Sequence, residues 1–592
     1  MDGTFDITKA YGPDEQHALY GPAYILAGRG IVYFLEGITG LDWGTLWHLV
    51  NFICFQVGLI FLYLLCRRWV SSWSAFFATL LFGTQPLLWG HAFINPKDIP
   101  FMAFFLAAFY AGLKFVDRIR TPEPPVQTVE AGDEMRWHRL RRRWIHWGIV
   151  FSALIVVLMF FNPLIRSAIQ SLMEGIYNAD AGSFWGKAFR AVAEDASKVG
   201  VDYYAGKLLS IYRWARIGLL AILISLWTVA VTIWAFPASI IRFWRRFTFK
   251  DRETSFWNAV KRAAIPGILL GLVTSVRVLG PMVGVLVVLY FLLSKGRRPV
   301  REMLIYFVLA GITVYLTWPY LWANPVGNFM NVLLHMSNNP QPVILIFNGE
   351  TIASPDLPWT YLPTLLGITL TEPVWFLFLG GLALAIVWMV RKRLEWRDLL
   401  VTILWFFILF FYVVLTRPPM YDGFRHFLFI LPPAFVVISI FFEGIIQWVK
   451  NPVIRWTILS VLVIPGVMGI AALHPYEYAY YNQFVGGSAG AYRLYENDYW
   501  LTCYREAMQP FKETTDQKPT VYVDRQPTLA ASYVGDAVQV LPYKKSETNL
   551  KPGDYILLST RNNRDQTFQQ DSEIRWTVGR QGSTYCIVKQ AR

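Results

Sequence analysis

Residues 399–415 read LLVTILWFFILFFYVVL, without one charged side chain, and the run is closed by Arg397-Asp398 on one side and Arg417-Pro418-Pro419 on the other. A bilayer core of about 30 Å takes roughly 20 helical residues to cross. A run this apolar between charged ends therefore reads as a membrane-spanning helix. Similar runs lie at about 47–66, 73–90, 99–116, 147–165, 214–236, 263–276, 281–294, 302–318, 373–390, 426–448 and 455–473, giving about twelve spans in all. The pair 263–276 and 281–294 also reads as one broken or re-entrant segment, a form tolerated only where protein buries it.

Composition agrees. Of 592 residues, 55% are hydrophobic, 17% aromatic and only 16% charged, and the mean hydropathy is +0.37. That is too little charge to cover a soluble protein of this size. The net charge of +14 raises nucleic acid as a partner, but the distribution excludes it. Arg and Lys stand in short clusters between apolar runs, not interleaved with polar and stacking residues.

Those clusters orient the chain. Arg67-Arg68, Arg139 to Arg143, Arg242 to Arg252, Lys295 to Arg298, Arg391 to Arg393, and Lys450 with Arg455 fall in loops on one side, whereas 319–372 has no Lys or Arg. The Arg-rich side is assigned to the cytoplasm. Both termini are then extracytoplasmic. Met1 to Gly12 has no apolar signal segment, so a further span upstream is expected, making thirteen.

The expected architecture is an all-α polytopic membrane protein with a small C-terminal extracytoplasmic α/β domain. Residues 1–46 form a first outer loop with an interfacial helix near Ala23 to Gly37, 47–473 the helical core, and 474–592 the soluble domain. In that domain a helix over Leu501–Thr515 precedes strands at Thr520–Asp524, Ala537–Leu541, Tyr555–Ser559, Ile574–Val578 and Thr584–Val588, with a hairpin turn at Gln581-Gly582. Residues 119–135, rich in Pro, form a cytoplasmic linker. Cys54 and Cys66 read as packing residues; Cys503 and Cys586 fit either a disulfide or two free thiols.

The polar residues that composition does not explain collect on the outer side. The first outer segment holds Asp14-Glu15, His17 and Tyr20; by itself it reads equally as a solvated loop. The turn after the second span holds His91, Asn95, Lys97 and Asp98. Arg277 is a lone cation among apolar residues, and it either snorkels to headgroups or meets a phosphate, which its planar fork suits. The loop before the eleventh span holds Tyr421, Asp422, Arg425 and His426. After the last span come Tyr476 and a run of tyrosines, then Glu496, Asp498, Tyr499 and Trp500. There is no Gly-Lys-Ser/Thr phosphate loop, HExxH or CxxC pair.

At these residues the sequence resembles the C-type membrane glycosyltransferases, whose donor is a polyprenyl-phosphate sugar. The branch it resembles most is the bacterial one related to protein O-mannosyltransferases and the lipid A aminoarabinose transferase. The resemblance rests on Asp14-Glu15, HAFINPKDIPF (91–101), Arg277 in GLVTSVRVLG (271–280), YDGFRHFLF (421–429), HPYEYAYYN (474–482) and YENDYW (495–500), and so covers most of the chain. The family's span before the acidic loop is not in this sequence, which leaves Asp14 and Asp6 as rival carboxylates; Asp14 is preferred because Glu15 stands beside it.

The resemblance implies transfer of a hexose or pentose from the lipid-linked donor to a protein, lipid or glycan acceptor at the outer face of the cell membrane. Asp14, Glu15 and Asp98 would be the catalytic carboxylates, with Asp14 as base. Arg277, Lys97, Arg425 and His426 would bind the donor phosphate. His17, Tyr20, His91, Asn95, Tyr421, Asp422 and Tyr476 would touch sugar or acceptor. No cofactor is required. Asp14, Glu15, His91 and Asp98 have ligand-type atoms for a divalent metal, but no spacing demands one. The rival readings are a transporter or flippase of lipid-linked sugars and a non-catalytic membrane assembly protein.

Overall fold

The computed structural model describes residues 21–120, 131–180, 183, 201–235, 247–248, 255–294, 296, 298–337, 343–513, 518–535, 538–544, 550–568 and 571–591. The chain forms two compact units. The larger contains α1 (Ala23–Thr39), α2 (Trp43–Cys66), α3 (Ser72–Gly83), α4 (Pro86–Ile94) and α5 (Asp98–Ile119). The smaller contains α6 (Ala131–Phe160), α7 (Asn162–Tyr177) and α8 (Val201–Ala235). The larger resumes with α9 (Phe256–Val276), α10 (Pro281–Leu293), α11 (Val300–Thr317), α12 (Pro325–Ser337), α13 (Tyr361–Thr369), α14 (Pro373–Val390), α15 (Trp396–Thr416), α16 (Pro432–Trp448) and α17 (Pro452–Leu473).

Every one of the twelve apolar runs is helical. Among the described residues eight helices are long and apolar enough to cross a membrane, the run at 147–165 is a pair bent by 49°, and α3, α10 and α16 are shorter apolar helices. The chain is a multi-pass membrane protein. The stretch expected as an interfacial helix is helical: α1 packs on α2 and leaves Tyr33, Phe34 and Ile38 exposed. The run expected at 73–90 divides because Pro86 starts α4 after a short break; Pro is well suited to a first helical position. The run expected from 426 starts at Pro432 for the same reason, and Arg425–Ile430 coils as a 3-10 turn before it. In the smaller unit α8 packs along α6 and α7, with Trp227 Nε1 donating to Ser152 Oγ at 3.0 Å.

In the larger unit α5 is the most enclosed span, with 78% of its apolar window buried. It packs against α2, α9, α10 and the turn at 425–430. Its aromatic spine does much of this: Phe105 stacks on Trp405 at 4.5 Å, and Phe101 meets Phe429 edge-on at 4.8 Å. Lipid is as apolar as these side chains, so close packing rather than hydrophobic burial holds such helices together. Gly271 lets α9 touch α11, since a Cβ there would lie 2.4 Å from Thr313 Cβ.

The two ends of α5 carry different polar clusters. At its C-terminal end Arg68 bridges Asp117 at 2.9 Å and Asp398 at 2.7 Å, joining the ends of α2, α5 and α15. Tyr290 Oη also donates to Asp117 at 2.7 Å. Asp98 opens the other end, 19 residues away, or about 28 Å at a helical rise of about 1.5 Å per residue. That is close to the thickness of a bilayer core, and it puts the Arg68–Asp117–Asp398 cluster and Asp98 at opposite ends of α5.

The chain after α17 belongs to the same compact unit. Strands β1 (Ile344–Phe347) and β2 (Glu350–Ala353) form an antiparallel hairpin in the loop before α13, where no strand is expected from sequence. The tail sheet contains β3 (Thr520–Val523), β4 (Gln539–Pro542), β5 (Tyr555–Ser559), β6 (Glu573–Arg580) and β7 (Ser583–Gln590) in the order β4-β3-β5-β7-β6. The five expected strands are these five. Gln581 and Gly582 have φ of 49° and 79°, the two left-handed residues that a tight two-residue hairpin requires. The expected helix at 501–515 is shorter: an α-turn at Tyr504–Met508 continues as 3-10 turns to Glu513. A helix not expected, α18 (Pro527–Val534), makes the crossover that sets β3 and β4 parallel. Cys503 and Cys586 form a disulfide, settling the choice left open above and tying that α-turn to β7.

Candidate functional site

Asp98 is the first residue of α5, where the helix dipole favours a negative charge. Asn95 shapes the turn before it: its Oδ1 accepts from the backbone N–H of Lys97 at 3.1 Å and of Asp98 at 2.8 Å, and its Nδ2 donates to Asp98 Oδ2 at 2.7 Å. Arg277 ends α9 in extended backbone, and its guanidinium donates to Asp98 Oδ1. Arg425, from the turn before α16, donates to Asp98 Oδ2 at 3.2 Å. Three loops far apart in sequence therefore meet on one carboxylate that is 2% exposed.

The ion pairs continue outward. Arg425 also pairs with Asp422 at 3.2 Å. Asp422 accepts from Arg561 at 2.6 Å, and Arg561 lies 3.6 Å from Glu496. The row Arg277–Asp98–Arg425–Asp422–Arg561–Glu496 thus runs from the helical bundle into the tail domain. Charges this far from water are kept by partners and hydrogen bonds. Burial, and then Asp422, push the Glu496 carboxyl up to about 7, although Arg561 and the Gly423 N–H pull it back.

A second layer seats the tail on this row. His91 is fully buried, with Nε2 2.9 Å from Tyr499 Oη and Nδ1 3.2 Å from Asn95 Nδ2. Tyr478 Oη donates to Asp498, which also accepts from the N–H groups of Thr502 at 2.9 Å and Cys503 at 2.8 Å. Gly90 allows the close approach, because a Cβ there would lie 2.4 Å from the Tyr478 backbone nitrogen. Among the described residues Asp498, Cys503 and Cys586 come close enough to one another to hold a metal, but the two sulfurs are bonded together.

Of the residues singled out by sequence, Asp98, Arg277, Arg425, Asp422, Asn95 and His91 are brought together. Lys97 lies beside them, its ammonium pushed below its ordinary value by burial and then by Arg277 and Arg425. His426 meets Tyr421 edge-on at 4.8 Å. Burial, and then Arg425, hold its imidazole well below the usual histidine range. Its charged form is therefore disfavoured where it stands. Tyr476 also departs from expectation. It is 0% exposed and packs on Tyr585 at 4.7 Å inside the tail core, which leaves no face for an acceptor. Asp14, Glu15, His17, Tyr20 and Asp6 lie outside the described residues. Sequence reading missed Arg561, which looks ordinary in a polar tail; its place immediately after an apolar β-run was the available signal.

Fold and site together define a multi-pass membrane protein with paired guanidiniums held by a buried carboxylate at one end of its helices. No family model and no curated protein matches the chain. Among solved structures it is similar to the apo oligosaccharyltransferase of Archaeoglobus fulgidus, at 12% identity and a TM-score of 0.33, over 91% of this chain and 62% of that one. It is similar to AglB from Archaeoglobus fulgidus, in complex with an inhibitory peptide and a dolichol-phosphate, at 11% identity and a TM-score of 0.33, over 88% of this chain and 56% of that one. It is also similar to ArnT from Cupriavidus metallidurans bound to undecaprenyl phosphate, at 11% identity and a TM-score of 0.21, over 96% of this chain and 88% of that one. The chain spans less than two thirds of the length of the first two. Likenesses this weak leave the functional reading to the chain's own residues.

Proposed function

We propose that the chain transfers a sugar from a polyprenyl-phosphate-linked donor to an acceptor at the extracytoplasmic face of the membrane. The observation that carries this reading is the convergence of Arg277 and Arg425 on Asp98 at the end of α5 opposite the Arg68–Asp117 pair. A lipid-linked phosphate places its anion at that depth, beside the helix ends, with its tail in the bilayer. Guanidinium groups suit phosphate oxygens because their fork donates two parallel hydrogen bonds.

In the proposed step the acceptor oxygen bonds to the anomeric carbon, and its proton passes to a carboxylate, assigned to Asp14 with Glu15 beside it. The bond from the anomeric carbon to the phosphate oxygen breaks, and its electron pair leaves with the phosphate. Arg277 and Arg425 offset the charge that develops there, and such fixed donors are often a major part of catalysis. Asp98 already accepts from Arg277, Arg425 and Asn95. Its part in this scheme is to hold the two cations in place. Lys97 and the neutral His426 complete the phosphate side, with Tyr421 and Asp422 toward sugar or acceptor.

The test is Asp14→Asn in the full chain, reconstituted in lipid with a labelled polyprenyl-phosphate sugar. The proposal expects retained donor binding and lost transfer. Unchanged transfer removes Asp14 as the base, and wild-type donor movement across the bilayer without transfer favours a flippase.

A further inference from the structure

The tail sheet reverses its winding at β3. The chain passes from β3 through α18 to β4 on one side, then returns to lay β5 on the other side, and both neighbours are parallel to β3. Such a reversal opens a crevice beyond the carboxyl ends of adjacent parallel strands, the usual place for a ligand in open α/β sheets. Here the crevice is real: a cavity of about 440 Å³ lies there. Arg525 and Gln526 reach it from the end of β3 and Arg561 from the end of β5, with Trp500, Leu501 and Leu529 as apolar wall. Non-glycine residues with left-handed backbone cluster at these two strand ends, at Gln526, Asn562 and Asn563, and strain of this kind gathers at binding sites.

The charges in the cavity are not balanced. Arg561 is paired with Asp422 and Glu496, and Asp524 is paired with Arg564 at 2.9 Å. Among the described residues the Nε of Arg525 is buried without a hydrogen bond, and Asp524, which attracts the guanidinium, is itself bridged to Arg564. Burial, and then Arg561 and Arg564, disfavour its charge. An arriving anion would relieve that and take up the guanidinium donors.

We propose that this crevice binds an anionic saccharide, a sugar carrying a phosphate or carboxylate, as the acceptor of the reaction. Arg525 holds the anion, and Trp500, Leu501 and Leu529 pack against the sugar ring. The word acceptor rests on the glycosyl-transfer reading; the binding site itself does not. Trp500 connects the two, since the Arg425 guanidinium lies 5.5 Å from its ring centre. A ligand here would therefore sit one side chain from the donor-phosphate cations.

The test is isothermal titration of the full chain in nanodiscs with glucose 1-phosphate, glucose, glucuronate and inorganic phosphate. Glucose 1-phosphate and glucuronate are expected to bind saturably, and glucose at least about tenfold more weakly, as loss of a charge-assisted hydrogen bond implies. Arg525→Gln should weaken glucose 1-phosphate by at least about tenfold and Arg525→Lys by less, because the point charge remains but the fork does not. Leu529→Trp, which fills the cavity with a larger side chain, should also weaken binding by at least about tenfold. No saturable binding of either anionic sugar, or wild-type binding by Arg525→Gln, overturns the proposal. Inorganic phosphate binding as tightly as glucose 1-phosphate overturns the saccharide and leaves a bare oxyanion site. Polyprenyl phosphate binding on the same samples separates the two readings: its loss in the wild type would count against the glycosyl-transfer proposal alone.

Discussion

The guanidinium of Arg277, at the end of α9, closes directly onto the carboxylate of Asp98, at the start of α5, across 179 positions of sequence. This pair locks two spans together at one end of the bundle and holds a cation at the place proposed for the donor phosphate. Arg425 completes it from a third loop.

Removing the carboxylate should cost more than removing one cation. Asp98→Asn leaves two mostly buried guanidiniums facing each other, and breaking a buried pair in this way costs about 3–5 kcal/mol. Thermal unfolding in detergent should show a large loss of stability for Asp98→Asn and a smaller one for Arg277→Ala, which leaves the Arg425–Asp98 pair in place. Equal losses would contradict the central position given to Asp98.

The opposite end offers a control. Arg68→Ala breaks contacts to Asp117 and Asp398 and should lower stability by an amount similar to Asp98→Asn, about 3–5 kcal/mol. Binding of polyprenyl phosphate by the folded fraction should stay within about twofold of the wild type, because this cluster lies about 28 Å from Asp98 at about 1.5 Å per residue.

Glu496 gives the tail a pH dependence of definite sign. In the folded protein its carboxyl keeps its proton up to about 7, against an ordinary value of 4.5. The folded state then binds more protons than the unfolded state between those values. Its contribution to stability is complete below about 4.5 and is lost as pH rises through about 7. Thermal melts from pH 5 to about pH 8 should fall more steeply for the wild type than for Glu496→Gln; parallel curves would contradict the assignment.

The disulfide joins positions 83 residues apart, a loop whose closure in the unfolded chain is worth about 4.5 kcal/mol by the chain-entropy relation. Cys503→Ala with Cys586→Ala should therefore expose the tail strands to proteolysis while the membrane helices stay intact. Limited proteolysis read by mass spectrometry checks this.

The spans were legible because lipid imposes one requirement, a long uncharged run, that residues 399–415 meet without help from other parts of the chain. Arg277 was legible for the complementary reason, since a cation in such surroundings must have a cause. Boundaries were less so where prolines decide them, as at Pro86 and Pro432. Helix α18 was hidden because its eight residues, with Pro, Thr and Ser among them, carry too short a pattern. The link from Asp422 to Arg561 was invisible in sequence: the two are 139 positions apart, and Arg561 is ordinary in a polar segment. Tyr476 misled because its residue type suggests contact with an acceptor and burial leaves it no free face, and His426 because burial disfavours the charge its type suggests.

The most direct test is equilibrium binding of polyprenyl phosphate to the full chain in nanodiscs. The wild type and Arg68→Ala should bind saturably. Arg277→Ala with Arg425→Ala should lose at least about a hundredfold in affinity, as two charge-assisted contacts at about 1.5 kcal/mol each imply. Undiminished binding by that double variant, folded by the same thermal criterion, would contradict the account at its root.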